Sequence, residues 1–203
     1  MFFICKTCLI SLITLLLLVS PTQAETKTES KQTYTRSVHN YDVPDIHIVT
    51  QNENKVKLSE ILNHGGPVFM NFIFTSCNAI CPIMTAIFSK VYATIGSTSP
   101  DLRFVSVSID PEHDDPEQLS LYAKKFKAGN NWYFLTGEFG NLQLLQQAFD
   151  AYRGDKMNHT SLTLMRASPT SPWIRIEGIA SAQDLIREYN ILKSPSSLNK
   201  AKP

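Results

Sequence analysis

Short apolar runs alternate with amphipathic stretches, and this alternation constrains the fold more than any other feature of the sequence. Val68 to Phe74 is apolar except for Asn71, which predicts a strand buried on both faces of a sheet. A helix is predicted next, because apolar residues recur every three or four positions from Ile83 to Ile95 before Gly96 ends the pattern. Leu102 to Ile109 predicts the next strand. Such a chain folds as an α/β protein whose sheet is covered by helices.

The second half of the chain continues the alternation. Asp115-Pro116-Glu117 supplies an N-cap, a proline at the first helical position and an acid in the first turn, so a helix is predicted from there to about Phe126. The remaining predicted elements are strands at Trp132 to Leu135, Ser161 to Met165 and Trp173 to Ile176, and helices at Asn141 to Tyr152 and Ser181 to about Tyr189. The last two strands are joined by a turn at 169–172, which predicts a mixed sheet.

The region before this alternation has two predicted parts. Residues 25–40 are polar and rich in Thr, Ser, Lys and Gln, which predicts a flexible tether. Ile46 to Thr50 and Lys55 to Leu58 predict an N-terminal hairpin, followed by one helical turn to Leu62. We therefore expect a folded domain over residues 41–192 and a disordered tail over residues 193–203.

The first 24 residues have the plan of a secretory signal peptide. Lys6 is their only charged residue, Leu9 to Val19 is an apolar run, and a small-residue cleavage site ends at Ala24. The run is shorter than the roughly 20 residues that a membrane-spanning helix needs. Cleavage is therefore predicted, and an uncleaved signal would act as an inner-membrane anchor. No Arg occurs before Arg36, which disfavours a mitochondrial presequence and favours the bacterial periplasm.

The charge distribution argues against nucleic acid as a partner. The 19 basic and 18 acidic residues are interleaved and leave a net charge of +1, so no basic stripe is available for phosphate. With 203 residues, of which 43% are apolar, the chain is long enough to bury the core of one domain.

Two cysteines remain once the signal peptide is set aside, because Cys5 and Cys8 lie inside it. Cys77 and Cys81 follow the predicted strand at 68–74, where the start of a helix favours a thiolate. Their spacing of four residues puts both sulfurs on one helix face. The pair can therefore form a disulfide or bind a soft metal ion such as copper or zinc. An inert disulfide would close a very small loop and add little stability.

Three segments resemble the Sco/SenC family of thioredoxin-like copper-binding proteins. Residues 71–82 read NFIFTSCNAICP and resemble the copper-site motif of that family, while residues 105–117 (VSVSIDPEHDDPE) and 132–137 (WYFLTG) resemble two later strands and their loops. The similarity covers roughly Val43 to Tyr189. It implies a thioredoxin-like fold, with a central mixed sheet flanked by helices, and a part in cytochrome c oxidase assembly.

The resemblance also implies the remaining site residues. The third copper ligand of the family is a histidine before the strand that follows the third helix, and the matching position here is His159. Asp110 closes a predicted strand at the edge where α/β sheets bind ligands, and the resemblance implies that it lies near the copper as support for the ligands. The other histidines are expected in the tether, the hairpin, a turn and an exposed acidic loop (His39, His47, His64 and His113). The helical spacing of Met84 predicts a core position, and Trp132 and Trp173 are expected to be packing residues.

Two functions remain open. The first, implied by the resemblance, is a monomeric copper metallochaperone that binds Cu(I) or Cu(II) through Cys77, Cys81 and His159. It would deliver the ion to the copper-binding subunit of cytochrome c oxidase, at the dinuclear copper centre, and would need a periplasmic thiol reductase to keep the cysteines reduced. The alternative is an enzyme, a periplasmic thiol-disulfide oxidoreductase acting on copper-site cysteines through the same redox-active pair.

Spacing weakens the enzymatic alternatives. Oxidoreductases of this type carry Cys-x-x-Cys and a proline before the facing strand, where this chain has His159. A peroxidase would carry Thr three residues before its reactive cysteine, whereas Thr75 is two residues before Cys77. Copper sensing or storage would use the same ligands as delivery.

Overall fold

The computed structural model describes residues 34–194, which form eight strands, five α-helices and two short turns of other helical types. The strands are β1 (Tyr34–His39), β2 (His47–Thr50), β3 (Lys55–Lys57), β4 (Val68–Ile73), β5 (Arg103–Ser108), β6 (Trp132–Thr136), β7 (Leu162–Arg166) and β8 (Trp173–Gly178). The α-helices are α1 (Leu58–Leu62), α2 (Ile80–Val91), α3 (Pro116–Lys125), α4 (Phe139–Ala148) and α5 (Ala182–Lys193). A π-helical turn (Tyr92–Gly96) extends α2, and a 3-10 turn (Lys156–Asn158) precedes β7.

All eight strands belong to one mixed sheet with the order β1-β8-β7-β4-β5-β6-β2-β3. The central strands β4, β5 and β6 run parallel, and β7 lies antiparallel to β4. The hairpin of β2 and β3 extends one side of the sheet through an antiparallel pairing of β2 with β6. The predictions of a mixed sheet and an N-terminal hairpin are therefore confirmed. The loops that leave β4 and β5 lie side by side, because both strands end at the same edge.

Helices cover both faces of this sheet. Apolar residues of α2, α3 and α5 pack on one face, while α1 and α4 pack on the other. Strand β4 contributes to both, since Phe69 and Ile73 belong to the first cluster and Met70 and Phe72 to the second. Every residue of β4 is buried, including Asn71, whose side-chain oxygen accepts a hydrogen bond from Ser106 Oγ at 2.8 Å. The continuous apolar run thus becomes a central strand, as predicted.

The start of α3 follows the predicted capping signal. Asp115 is the N-cap, and its carboxylate accepts a hydrogen bond from the backbone N–H of Gln118 at 2.8 Å. Pro116 occupies the first helical position. This cap fixes the direction in which the chain leaves the loop after β5, and that loop forms part of the site described below.

Residues 34–39 belong to the sheet, so the prediction of a flexible tether is wrong for that stretch. β1 pairs antiparallel with β8, and Tyr34 lies opposite Gly178. Arg36 forms an ion pair with the buried Glu188 of α5, with Nε 2.8 Å from Oε2. An edge strand is held by backbone hydrogen bonds to one neighbour, so it needs few apolar side chains and a polar composition does not exclude it. Residues 25–33 of the predicted tether lie outside the described residues.

Two helices differ from their predicted bounds. α4 begins at Phe139 and ends at Ala148, instead of 141–152, and Asp150 adopts a left-handed φ of 50° just beyond it. α5 continues to Lys193, past the predicted end near Tyr189. The predicted signal peptide at 1–24 and most of the predicted tail at 193–203 lie outside the described residues. Within residues 34–194, no helix has the length and apolar character needed to cross a membrane.

Candidate metal centre

The two cysteines lie at the junction of β4 and α2. Cys77 is half-buried in the connecting loop, where its backbone N–H donates to the carbonyl of Phe74 at 3.2 Å. Cys81 lies in the first turn of α2 and is fully buried. Both are free thiols. The predicted position of the pair between the strand and the helix is confirmed. The prediction that both sulfurs lie on one helix face is wrong, because α2 begins at Ile80 and Cys77 precedes it.

The two thiols differ in acidity because they differ in surroundings. Burial is the largest influence on Cys77 and acts to raise its pKa, but hydrogen bonds from the backbone N–H groups of residues 79–81 and from the Cys81 thiol together outweigh it, so the pKa is lowered. Burial raises the pKa of Cys81 to about 12, and the neighbouring Cys77 adds to this increase. Cys77 is therefore the more readily ionised and the more accessible of the two sulfurs.

The carboxylate of Asp114 holds the loop between β4 and α2 in place. This loop, residues 74–79, carries Cys77 and is called the cysteine loop below. Asp114 is fully buried in the loop after β5 and accepts hydrogen bonds from the backbone N–H of Thr75 at 3.1 Å and from the Thr75 hydroxyl. Asp114 Oδ2, the oxygen that accepts from the Thr75 N–H at 3.1 Å, also accepts a hydrogen bond from Ser108 Oγ at 2.6 Å. Because Thr75 is two residues before Cys77, this carboxylate fixes the start of the cysteine loop against the end of β5.

His159 approaches the cysteines from the segment before β7. It directly follows the 3-10 turn at 156–158, and its Nδ1 lies 3.9 Å from Cys81 Sγ. Its Nε2 is buried and has no hydrogen-bond partner among the described residues. Burial, followed by the positive charge of Arg153, lowers the pKa of His159 to about 4. The imidazole is therefore neutral near pH 7, which is the form that binds metal ions.

The pair formed by Cys81 and His159 suits a soft metal ion. Usual metal–sulfur and metal–nitrogen distances are about 2.3 Å and 2.0 Å, and their sum exceeds the 3.9 Å that separates Sγ from Nδ1. One ion can therefore contact both atoms. Within residues 34–194, however, no three His, Cys, Asp or Glu side chains are already gathered around one metal position. Binding by all three predicted ligands would need side-chain adjustment, and their assignment remains a prediction.

Asp110 contacts the segment before β7 that carries His159, instead of the predicted ligands themselves. This segment, residues 153–159, is called the histidine segment below. Asp110 lies just after β5 and is almost fully buried, and its Oδ2 is 2.6 Å from Lys156 Nζ. Its Oδ1 is 3.2 Å from His113 Nδ1. Burial alone would raise the pKa of Asp110, but the hydrogen bonds from Lys156 and His113 lower it below its ordinary value. The predicted supporting role of Asp110 near the metal remains a prediction.

The other candidate residues lie where their local patterns place them, with one exception. The core positions predicted for Met84, Trp132 and Trp173 are confirmed. His113 is 62% exposed, as expected, although it also contacts Asp110. His39 is the exception, because it ends β1 instead of lying in a tether.

Sequence reasoning missed Asp114 and Lys156. Asp114 lies in a run of acidic residues in which only the fold shows which carboxylate is buried. Lys156 is 46 positions from its partner Asp110 and belongs to no local motif. Nothing in the sequence pattern distinguishes these two residues from their solvated neighbours.

A sequence model of the SCO1/SenC family matches residues 41–188. The chain belongs to this family. It is 37% identical to the SCO1 protein homolog of Bacillus subtilis (strain 168) over 100 residues, which are 48% of this chain and 50% of that protein. The matched stretch therefore spans about half the length of that curated relative.

Solved structures of Sco proteins have the same fold as this SCO1/SenC protein. One is BsSco, a member of the Sco family of cytochrome c oxidase assembly proteins in which a disulfide switch has been identified. It superposes with a TM-score of 0.65 at 25% identity, covering 81% of this chain and 99% of that one. Yeast Sco1 with copper bound superposes with a TM-score of 0.63 at 18% identity, covering 81% of this chain and 96% of that one. The thioredoxin-like fold expected from the sequence is thus confirmed.

Proposed function

We propose that this protein is a periplasmic copper metallochaperone that holds the ion with Cys77, Cys81 and His159. The observation that carries the proposal is the 3.9 Å approach of His159 Nδ1 to Cys81 Sγ, made by an imidazole whose other nitrogen has no partner among the described residues. The acceptor is the dinuclear copper centre of cytochrome c oxidase. In support, yeast Sco1 is a copper-binding relative in fold, and BsSco belongs to a family of oxidase assembly proteins.

The chemistry of the ligand set favours copper that can be passed on. Thiolate sulfur prefers Cu(I), while imidazole suits copper in both oxidation states. Three protein ligands leave a coordination position through which a ligand of the acceptor can enter. Cys77 is half-buried on the loop, whereas Cys81 is enclosed by α2. Transfer therefore begins at Cys77, the ligand that an incoming protein reaches first.

An anaerobic titration of the reduced protein with Cu(II) tests this proposal. We expect one copper per chain, an intense visible thiolate-to-copper charge-transfer band, and nitrogen coupling in the electron paramagnetic resonance spectrum. His159→Ala should remove the nitrogen coupling and weaken Cu(II) binding by about 10- to 100-fold or more. His47→Ala, at an exposed position of β2, is the matched control. If His159→Ala binds Cu(II) as tightly as the wild type, the three-ligand site is refuted.

A second function, thiol-disulfide exchange, is favoured by the difference between the two cysteines. The accessible, more acidic Cys77 would attack a disulfide of the substrate and release one substrate thiol, leaving a mixed disulfide. Cys81 would then attack Cys77 Sγ, which releases the second substrate thiol and leaves a Cys77–Cys81 disulfide. Two electrons pass to the substrate, and a periplasmic thiol reductase would restore the pair.

The same titration separates the two functions. Rapid formation of the Cys77–Cys81 disulfide, with reduction of Cu(II) and no stable bound metal, would favour the oxidoreductase. Stable coloured protein with one copper would favour delivery. The periplasmic location and cleavage after Ala24 also belong to this proposal, and a mature N-terminus at Glu25 in exported protein would support both.

A further inference from the structure

The site is built from two separate segments, and the loop after β5 contacts both of them. Asp114 of that loop binds Thr75, next to the cysteines. Asp110 of the same loop binds Lys156, three residues before His159. The cysteines and the histidine are thus attached to one short stretch of backbone by two different carboxylates.

We propose that Lys156 is a positioning residue whose ion pair with Asp110 holds His159 against Cys81 and so selectively strengthens Cu(II) binding. The inference rests on the proposed function, because it concerns the same three ligands. In this proposal Lys156 controls the position of the imidazole, whereas Asp114 holds the loop that carries Cys77.

Asp110 is a rigid anchor for this contact. It directly follows Ile109 at the end of a central strand, and its backbone N–H donates to Ser108 Oγ at 3.0 Å. Asp110 is 5% exposed, and its carboxylate lies 2.6 Å from Lys156 Nζ. A charge-assisted hydrogen bond to a largely buried carboxylate is stronger than one at the open surface.

Lys156 transmits this constraint to His159 through a short path. The backbone N–H of His159 donates to the Lys156 carbonyl at 3.1 Å, which closes the 3-10 turn. Lys156 Nζ also lies 5.9 Å from the centre of the Phe74 ring, and that ring meets the imidazole of His159 edge-on at 6.4 Å. A displacement of Lys156 would therefore change the position of the imidazole directly.

The histidine segment has few other polar attachments. Within residues 153–158, Lys156 provides the side-chain hydrogen bond that reaches beyond residues 150–159, since Arg153 and Asp155 bond only to neighbours in this segment. Met157 is 74% exposed. The ion pair is therefore the main polar contact that attaches this segment to the loop after β5.

The expected effect depends on the oxidation state of copper. Cu(I) is satisfied by soft thiolate ligands, whereas the harder Cu(II) gains more from an imidazole nitrogen. Releasing His159 should thus weaken Cu(II) binding and spare Cu(I). Because Asp114 holds the cysteine loop independently, disulfide formation should also be spared.

The test uses the purified full chain with Lys156→Ala, Asp110→Asn, the double variant and Lys156→Arg. Lys55→Ala, an exposed lysine on the edge strand β3, is the matched control. For each we would measure the affinity for Cu(II), the affinity for Cu(I), the nitrogen coupling of bound Cu(II), and the equilibrium constant for disulfide formation with glutathione. The wild type and His159→Ala are measured alongside.

We expect Lys156→Ala to lower the Cu(II) affinity by about 10-fold or more and to weaken the nitrogen coupling. The Cu(I) affinity and the glutathione equilibrium constant should stay within about two-fold of wild type. Lys156→Arg should restore Cu(II) binding, and the double variant should be no worse than either single variant, because both remove one contact.

Three results would overturn the role of Lys156. One is unchanged Cu(II) affinity and nitrogen coupling in Lys156→Ala. The second is an equal loss of Cu(I) and Cu(II) binding with a shifted disulfide equilibrium, and the third is unfolding of both single variants and of Lys156→Arg. The last two would indicate general damage. Absence of nitrogen coupling in the wild type would refute the three-ligand site itself, so the two failures are distinguishable.

Discussion

Replacing Asp114 with Asn should lower the free energy of unfolding of the reduced protein by about 2–3 kcal/mol. The carboxylate is fully buried and accepts hydrogen bonds from two hydroxyls, those of Thr75 and Ser108, besides the Thr75 backbone N–H. Hydrogen bonds to a charged group contribute about 1.5–3 kcal/mol each and neutral ones about 0.5–1.5 kcal/mol. Replacing the charged acceptor of the two hydroxyl hydrogen bonds with a neutral one therefore costs about 2 kcal/mol.

The geometry around Ser108 adds to this cost. Ser108 Oγ already accepts a hydrogen bond from the backbone N–H of Asp110 at 3.0 Å, while it donates to Asp114 at 2.6 Å. An Asn side chain has one acceptor oxygen and one NH2 group, so it cannot accept from both hydroxyls with separate oxygens. At least one hydroxyl must turn away and lose its acceptor.

Urea unfolding followed by circular dichroism measures the difference, and the melting temperature should fall by about 5–10 °C for a domain of this size. Asp115→Asn is the matched control, because Asn caps a helix as well as Asp does and Asp115 is exposed. We expect that control to change stability by less than about 0.5 kcal/mol. If Asp114→Asn is as stable as Asp115→Asn, relief of the buried charge offsets the lost bonds and the reasoning is refuted.

Three further predictions follow from the same structure. Iodoacetamide should modify Cys77 well before Cys81 in the native reduced protein, because Cys77 has the lowered pKa and Cys81 is buried with a pKa raised to about 12; peptide mass spectrometry that finds equal rates would contradict this. The free energy of unfolding of the wild type should exceed that of Asp110→Asn by its full amount above the pKa of Asp110 in the unfolded chain, near 3.8. This difference should shrink as the pH falls through the lower pKa that Asp110 has in the folded protein. Urea unfolding at pH 7 and pH 3 would measure that change, and a difference independent of pH would argue against it. Arg36→Ala should cost about 2 kcal/mol, since it leaves the carboxylate of Glu188 buried without its cation, and a loss below about 0.5 kcal/mol would show that β1 adds little to the domain.

Much of the central fold is predictable because its signals are local. The apolar run of β4 and the Asp115-Pro116 start of α3 each depend on neighbouring residues, and both appear in the structure where the sequence places them. β1 was missed for the opposite reason, since its stability comes from pairing with β8, about 140 positions away in sequence. Backbone pairing of that range leaves no periodic pattern in a six-residue polar stretch.

The candidate site shows the same division. Strand-to-helix placement marks Cys77 and Cys81 from local sequence, whereas His159 could be proposed only from a family resemblance. Burial of Asp114 and the contact of Lys156 with Asp110 depend on how three loops meet at the end of the sheet. No spacing rule predicts such contacts, because each involves one residue per loop.

The distance in sequence between Cys81 and His159 has a consequence for the lifetime of the protein. The two residues are 78 positions apart, so an unfolded chain offers a pair of thiols without the neighbouring imidazole. A metal ion held by both segments binds the folded chain more tightly than the unfolded chain. At a free metal concentration of 100 times the dissociation constant, binding adds about 2.7 kcal/mol to the free energy of unfolding. Under the proposed function, a molecule that has released its ion loses this increment and opens more often to proteases. Proteolysis would then remove molecules without metal first and spare those that hold it.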